Sequence, residues 1–382
     1  MSALSLPRVE RVVTQAVETG QIPGAVVMVA VDGKVVHRDA RGVPDPGSGY
    51  RLQPDSILWL ASLSKVVCAA ALLMLADDGK LSVEDPVSRY IPEFAEPGRI
   101  RVLPPGTPPP PPAPPFGPPP DPPPAYREVP AEREITVRDL LTHTSGLQTI
   151  FRWNPDYVPP APGDTLASHV PGLAKVVRDF QAGTEWAYSN AAGFDVLSRV
   201  AEVASGRPFD ELIRSRVLGL LGIDGMGFGL AGDKRAVPVD PAFLANPVIT
   251  GEGYYSGAAG LWGDAESYLR FAWMLRDGRA PGGGELLSPQ AVRQMTSNQI
   301  GSLHPVLAGR SAADGLGFGF AVAVVTGAAV AGLPLGDGSF GWDGVATRRF
   351  WVDPGGGFAF FMYAPDAGVQ QDIEAAVVAD LS

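Results

Sequence analysis

Strand-like segments lie at both ends of this chain, with helical segments between them. Residues 25–40 read AVVMVAVDGKVVHRDA, in which two β-branched runs flank Asp32-Gly33, a pair typical of a hairpin turn. Near the C-terminus, GFGFAVAVV (317–325), TRRFWV and FAFFMY indicate three strands, and a turn that begins at Asp353 joins the last two. A sheet formed from both ends of a chain leaves the intervening residues to fold outside it.

The intervening residues carry helix signals. Asp264 is a cap for the segment that ends at Gly278, Ser288-Pro289 opens another helix, and Pro208 opens a third. We therefore predict an α+β fold whose antiparallel sheet is flanked by helices and built from both termini. Residues 1–60 and 300–382 would form the discontinuous sheet domain, and residues 61–299 an inserted, mostly helical domain.

One segment inside the helical region is nearly all proline. Residues 104–124 (PPGTPPPPPAPPFGPPPDPPP) cannot form a helix or a central strand and should adopt polyproline II. A stiff surface loop is the simplest interpretation. A docking ligand for an SH3-like partner and a lid over a site are the alternatives.

Composition excludes several function classes. The net charge of −11 argues against a nucleic-acid partner. A single cysteine, Cys68, and four histidines without metal-ligand spacing predict no metal and no cofactor. No basic start followed by an apolar core, and no apolar run of about 18 residues, is present, so we expect a cytoplasmic protein without a membrane contact. Oligomeric state is not readable from these features.

A serine and a lysine stand three residues apart in LWLASLSKVVCAAALLMLADDG (58–79). Of the five lysines, only Lys65 has a serine, Ser62, three residues before it. On a helix the two side chains would share a face, near free N–H groups that favour a developing anion. They could be a nucleophile and its base. The structural alternative is a helix start with a solvated lysine.

Two further segments carry groups that complete such a site. Tyr188-Ser189-Asn190 precedes an amphipathic helix, and its phenol could relay a proton while its carboxamide holds Lys65 and a substrate carbonyl. Trp342-Asp343-Gly344 lies just ahead of a strand, where the N–H of Val345 could join that of Ser62 in an oxyanion hole. Core packing for Tyr188 and a simple turn for residues 341–344 are the structural alternatives.

In this order, Ser-x-x-Lys, Tyr-x-Asn and Trp-x-Gly resemble the serine β-lactamase and penicillin-binding-protein superfamily, especially the class C β-lactamase-like family VIII carboxylesterases. PGAVVMVAVDGKVVHRDARG, LLTHTSGL and YSGAAGLWGDAESYLRF resemble other segments of that family, so the resemblance covers nearly the whole chain. It implies a β-lactamase/transpeptidase-like fold.

The resemblance also implies roles for individual residues. Ser62 would be the acylated nucleophile, Lys65 the general base, and Tyr188 a base or proton relay. Ser62 and Val345 would supply the oxyanion hole. The substrate contacts would be Asn190, Trp342, Asp343, Gly344 and, in the loop after HTSGL, Gln148.

The chain departs from class C β-lactamases where they carry Lys-Thr-Gly and it carries Trp-Asp-Gly. That lysine helps to bind a substrate carboxylate, so we predict a preference for neutral short-chain esters over β-lactams and peptides. Esterase relatives usually carry Trp-Gly-Gly, and Asp343 would repel anionic substrates if it faced the cleft. The proline-rich insertion matches no part of the family.

Three alternatives stay open at this stage. The chain could be a β-lactamase or a D-amino-acid peptidase or amidase of the same fold, or a non-catalytic scaffold or sensor.

His143 is expected to be structural, since no Gly-x-Ser-x-Gly elbow accompanies it. An apolar acyl pocket or core packing could account for seven aromatic residues: Trp59, Phe151, Trp153, Tyr157, Tyr254, Tyr255 and Trp262.

Overall fold

The architecture is taken from a computed structural model, which describes residues 5–45, 47–104, 106, 125–149, 154, 156–303, 315–345 and 347–382. The predicted polyproline segment at 104–124 lies almost entirely outside the described residues, and so do Phe151 and Trp153. No helix among the described residues combines the length and the hydropathy needed to cross a bilayer.

Strands are numbered along the described chain. They are β1 (Gly24–Val31), β2 (Lys34–Gly42), β3 (Leu58–Trp59), β4 (Arg99–Val102), β5 (Arg127–Pro130), β6 (Met226–Gly227), β7 (Trp262–Gly263), β8 (Leu316–Phe318), β9 (Ala323–Val325), β10 (Phe340–Gly344), β11 (Arg348–Asp353) and β12 (Phe358–Tyr363).

Helices are numbered in the same way. They are α1 (Pro7–Glu18), α2 (Ser64–Asp77), α3 (Val137–Leu141), α4 (Leu166–His169), α5 (Ala192–Ser205), α6 (Phe209–Leu212), α7 (Gly219–Leu221), α8 (Pro241–Leu244), α9 (Pro247–Thr250), α10 (Ala265–Met274), α11 (Pro289–Thr296), α12 (Ala328–Ala331) and α13 (Ala367–Leu381).

The main layer is a seven-stranded antiparallel sheet in the order β2-β1-β12-β11-β10-β9-β8. The two ends of the chain meet in its middle, because β1 pairs with β12 and sets Val27 opposite Met362. Residues 24–42 and 316–363 thus build one sheet, which confirms the predicted α+β architecture. The division into domains at residues 60 and 300 stays a prediction.

The two faces of the sheet carry different partners. Trp342 pairs with Phe350, and Phe350 with Phe361, so these side chains share one face, on which Tyr268 of α10 stacks. The next register pair, Asp343 and Arg349, points to the opposite face, where Arg349 reaches α13. The face of Trp342 is therefore the one turned toward the helical region.

Helix α2 crosses the interior of the helical region. It has twelve buried residues of fourteen, since its sequence is apolar all round. It packs against α5 and α11. Because the helix is enclosed by protein, Ser62 and Lys65 at its start are placed in the interior rather than at the surface.

Most local predictions are confirmed, and two are wrong. Asp264 accepts from the N–H of Ser267 at 2.8 Å and caps α10. The segment 317–325 is two short strands, β8 and β9, because the chain turns between them with Ala321 at φ +63°. Trp342-Asp343-Gly344 lies within strand β10 itself rather than ahead of a strand.

Candidate active site

The entry to α2 presents Ser62 in a tight turn. Ser62 lies in a 3₁₀ turn, Ala61–Leu63, that leads directly into the helix. Ala61 has φ +49°, a left-handed conformation that costs an L-residue conformational energy. The N–H of Ser62 donates no hydrogen bond to any atom of the described residues. This turn therefore leaves a backbone donor free beside the hydroxyl.

Lys65 is fully buried and its amine meets three acceptors. Nζ donates to the carbonyl oxygen of Asn190 at 2.7 Å, to that of Ala258 at 2.9 Å, and to Ser62 Oγ at 3.4 Å. The solvated lysine of the structural alternative is thus excluded. No carboxylate of the described residues lies within ion-pair distance of the amine.

Tyr188 brings its ring to the same place. Lys65 Nζ lies 5.0 Å from the centroid of the Tyr188 ring. The ring also packs on Trp342, with centroids 5.3 Å apart. Its buried Oη forms no hydrogen bond with the described residues. The hydroxyl, amine and phenol that the sequence singled out therefore converge, and the phenol oxygen is not engaged by another described residue.

The ring of His143 packs against that of Tyr188. Its ring lies 4.4 Å from that of Tyr188, and its Nδ1 accepts from the N–H of Ser189 at 3.0 Å. Burial, assisted by the charge of Lys65, holds the pKa of His143 well below its usual range, so the imidazole is neutral. The arrangement fits the structural role expected for this histidine.

The end of β10 lies against the turn that carries Ser62. A Cβ on Gly344 would stand 3.1 Å from the carbonyl oxygen of Leu60 and 3.5 Å from Cβ of Ala61, so glycine lets the two segments pack closely without displacing the Leu60 carbonyl. The side chain of Val345 is exposed, and its N–H has no acceptor in the described chain. Two unused N–H groups, of Ser62 and Val345, thus flank this contact.

The carboxylate of Asp343 does not reach this site. Both of its oxygens accept from Arg349, at 2.7 and 3.0 Å, and Arg349 also donates to Glu374 of α13 at 3.0 Å. Strand alternation places Asp343 on the face opposite Trp342. The prediction that its side chain contacts substrate is therefore wrong.

Asn190 and Gln148 contribute differently from what the sequence indicated. Asn190 holds Lys65 through its main-chain carbonyl, so the amide was wrongly assigned to that contact. Gln148 has φ +46° and its Oε1 accepts from the N–H groups of Ala191 and Ala192, at 3.2 and 3.0 Å. It thereby fastens its loop to the start of α5.

Three of the aromatic residues considered for an acyl pocket belong to the core. Trp59, Tyr254 and Trp262 are buried, and each donates a hydrogen bond inside the protein, to Ala259, Asp195 and Ile249 respectively. Tyr157 and Tyr255 are partly exposed and pack on the core.

Sequence reasoning missed a buried carboxylate behind Lys65. Asp195 of α5 accepts from Tyr254 Oη at 2.9 Å and from Ser256 Oγ at 2.5 Å. Burial raises its pKa to about 6, against the opposing effect of these bonds and of Lys65. The signal was an acidic residue inside the apolar run AAGFDVLSRVA, where a solvated position is not expected.

The described residues contain no cluster of three or more His, Cys, Asp or Glu side chains suited to a metal ion. The groups brought together at this site are a hydroxyl, an amine, a phenol and two N–H groups without an acceptor in the described chain. Such a set can transfer an acyl group through a covalent serine intermediate.

The similarity of this chain to known proteins, in sequence and in structure, extends over nearly its whole length. Protein Rv1367c of Mycobacterium tuberculosis is 29% identical over 400 residues, which cover 97% of this chain and 92% of that protein. Esterase EstB of Burkholderia gladioli is 29% identical over 382 residues, covering 91% and 86%. The structure of EstCE1, described as a hydrolase with promiscuous acyltransferase activity, superposes with a TM-score of 0.74 at 24% identity and covers 97% of this chain and 98% of its own.

A family model described as Beta-lactamase matches residues 9–381. The match contains both halves of the sheet as well as Ser62, Lys65 and Tyr188. This chain therefore belongs to the β-lactamase family of serine hydrolases, as its ordered motifs predicted.

Proposed function

We propose that the protein is a carboxylesterase that cleaves short-chain esters through an acyl-enzyme on Ser62. The observation that carries the proposal is the position of the Lys65 amine, buried and held by two carbonyls with Ser62 Oγ 3.4 Å away. Distances of this kind commonly shorten when a substrate binds.

In the first half-reaction the Ser62 oxygen attacks the ester carbonyl. Its proton passes to the Lys65–Tyr188 pair, and the carbonyl oxygen becomes an oxyanion held by the N–H groups of Ser62 and Val345. Collapse breaks the bond to the alkoxy group, which leaves as an alcohol with the proton returned through Tyr188. The product is an ester of Ser62.

In the second half-reaction water attacks the acyl-enzyme. The same pair takes a proton from the water, and the oxygen of Ser62 receives it as the acid departs. The residues begin and end in the same protonation state, so the cycle needs no cofactor.

Neutral esters are the proposed substrate class because of Trp342. It presents an indole at the place of the cation that would pair with the carboxylate of a β-lactam or a peptide, and its ring packs on Tyr188. The name of EstB, an esterase, supports ester hydrolysis. β-Lactam or peptide hydrolysis remains the alternative, and a non-catalytic scaffold is a third.

Hydrolysis of p-nitrophenyl acetate and butyrate tests the proposal. Ser62→Ala should lower kcat by at least about a thousandfold, since the nucleophile is lost. Ser82→Ala, which alters an exposed serine, is the matched control and should leave kcat unchanged. Full activity of Ser62→Ala would refute the proposal.

Covalent labelling and a substrate comparison separate the alternatives. A fluorophosphonate should add one adduct, mapped to Ser62 and not to neighbouring Ser64, whose Oγ is buried and accepts from the N–H of Leu261. A scaffold would not be labelled. Faster turnover of a chromogenic cephalosporin than of the esters would establish the β-lactamase alternative instead.

A further inference from the structure

Helix α5 fastens one loop of the site at several points. Asp195 accepts from Tyr254 Oη and Ser256 Oγ, while Ser198 Oγ accepts from the N–H of Gly257 at 3.0 Å. Asp195 and Ser198 stand three residues apart and so share a helix face. The loop of residues 254–258 is thus held along its length by two polar side chains of one face.

The loop ends at a contact with Lys65. The N–H of Ala258 donates to Ser256 Oγ at 3.2 Å, and the carbonyl of Ala258 accepts from Lys65 Nζ at 2.9 Å. A continuous chain of contacts therefore runs from Asp195 through Ser256 and Ala258 to the amine. The other carbonyl on the amine, of Asn190, lies just before α5.

Charge makes the same connection. Lys65 is fully buried, and Asp195 is only 1% exposed. A buried ammonium needs compensation, and main-chain carbonyls supply dipoles but no net charge. The electrostatic effect of Lys65 favours the ionised form of Asp195, so the two charges stabilise each other across Ser256 and Ala258.

We infer that Asp195 is a positioning residue: as a carboxylate it holds loop 254–258 and serves as the counter-charge that keeps Lys65 aimed at Ser62. The inference rests on the proposed function of Ser62 and Lys65. Besides Lys65, the described titratable groups that interact electrostatically with Asp195 include Cys68 of α2 and the phenols of Tyr157 and Tyr254. Burial raises the pKa of all three, so they stay neutral near neutral pH.

The first test replaces the charge and keeps the shape. Asp195→Asn should lower kcat for p-nitrophenyl butyrate 10- to 100-fold at pH 8, a loss of the size expected when a reacting group is misplaced by about 1 Å. KM should change less than about threefold, since Asp195 does not touch the substrate. Asp372→Asn, the same change at an exposed site of α13, is the matched control and should behave as wild type.

The second test is a pH profile, which a purely structural role would not alter. Wild-type kcat should fall as the pH drops through about 6, because Asp195 then becomes protonated. Tyr254→Phe removes one hydrogen bond to the ionised carboxylate and should move this fall to higher pH. Asp195→Asn should show no fall in kcat through this pH range.

The outcomes separate this inference from the proposed function. If a fluorophosphonate does not label the wild-type protein and Ser62→Ala does not lower ester hydrolysis, the proposed function itself is wrong. Labelled wild type together with an Asp195→Asn variant of unchanged kcat and pH profile would overturn the inference alone. If Asp195→Asn does not fold, Tyr254→Phe decides: an unmoved acid limb overturns the inference, and a shifted limb supports it.

Discussion

At the scale of single residues, the site depends on how one amine is oriented. Lys65 carries three N–H groups, and the carbonyls of Asn190 and Ala258 accept two of them. The remaining direction points to Ser62 Oγ. Orientation by main-chain carbonyls couples the amine to two separate chain segments, so any change that moves either segment should change the rate.

The hydroxyl of Tyr188 should matter for the leaving group. Tyr188→Phe preserves the ring contacts with His143 and Trp342 and removes only Oη. We expect kcat to fall 10²- to 10⁴-fold on an ethyl ester, the usual contribution of a proton-transfer group. The loss should be smaller on a p-nitrophenyl ester, whose leaving group needs no proton. Steady-state kinetics on both esters measures the difference.

Tyr90→Phe is the control for this experiment. Tyr90 Oη donates to Asp85 at 2.5 Å, outside the group of residues assembled around Ser62, so its loss should leave kcat unchanged for both esters. Equal losses on the two esters in Tyr188→Phe would exclude a role for the phenol in protonating the leaving group.

Asp343 should be silent in catalysis. Asp343→Asn removes a charge that pairs with Arg349 on the outer face of the sheet, where the carboxylate is 39% exposed. We expect kcat/KM to stay within about twofold for both neutral and anionic p-nitrophenyl esters, and stability to fall by at most about 1 kcal/mol. A selective gain on the anionic ester would show that the carboxylate acts in the cleft after all.

At the scale of elements, α2 and α5 approach each other through loop 254–258. A Cβ on Gly257 would stand 2.4 Å from Ser198 Oγ and 2.8 Å from Cys68 Sγ, closer than van der Waals contact allows. Gly257→Ala should therefore displace the loop, cost about 1–3 kcal/mol of unfolding free energy, and lower kcat because the Ala258 carbonyl moves. Urea unfolding and ester kinetics measure the two effects.

Gly227→Ala gives the matched comparison. No atom outside its neighbours lies within 4 Å of a Cβ built on Gly227, so alanine fits there without displacement. The control should keep wild-type stability and rate. An equally stable and active Gly257→Ala variant would mean that the loop yields without moving the carbonyl.

At the scale of the whole molecule, the sheet was predictable and the site only in part. β-Branched runs, the Asp32-Gly33 turn and the Asp353 turn specify strands through local chemistry. The capping residues Asp264 and Ser288 specify helix starts in the same way. These signals are local, and the structure contains the strands, turns and helix starts that they predict.

The wrong predictions share a cause: tertiary contacts, rather than local sequence, determine the features concerned. Nothing local in GFGFAVAVV requires a turn at Ala321. The turn is fixed by two tertiary hydrogen bonds: the N–H of Phe320 donates to the carbonyl of Met295, and the N–H of Ala321 donates to the carbonyl of Leu141. The orientation of Asp343 depends on Arg349 and α13. Carbonyl contacts such as that of Ala258 leave no side-chain signature at all.

The buried charge of Asp195 should also appear in the stability of the whole protein. The pKa of this carboxyl is about 6 in the folded state against 3.8 for the unfolded chain. The folded state thus binds the proton more tightly, so stability contributed by protonated Asp195 is full below about pH 4 and is lost as the pH rises to about 6. The loss amounts to about 3 kcal/mol.

Other carboxylates act in the opposite sense. Hydrogen bonds hold the pKa values of Asp85, Asp164 and Asp233 below their usual range, so their contributions grow as the pH rises. Only a difference between two proteins isolates Asp195. Asp195→Asn should match wild type in unfolding free energy near pH 4 and exceed it by about 3 kcal/mol at pH 8.

Denaturant unfolding of both proteins at pH 4, 5, 6 and 8, with Asp372→Asn alongside, measures this difference. A constant offset between Asp195→Asn and wild type would mean that the carboxyl titrates normally and carries no burial cost. A variant more stable at pH 8 yet slower on esters would have the opposite meaning. The chain would then hold an ionised carboxylate in its interior at the expense of stability, as expected where a buried charge is retained because a reacting amine depends on it.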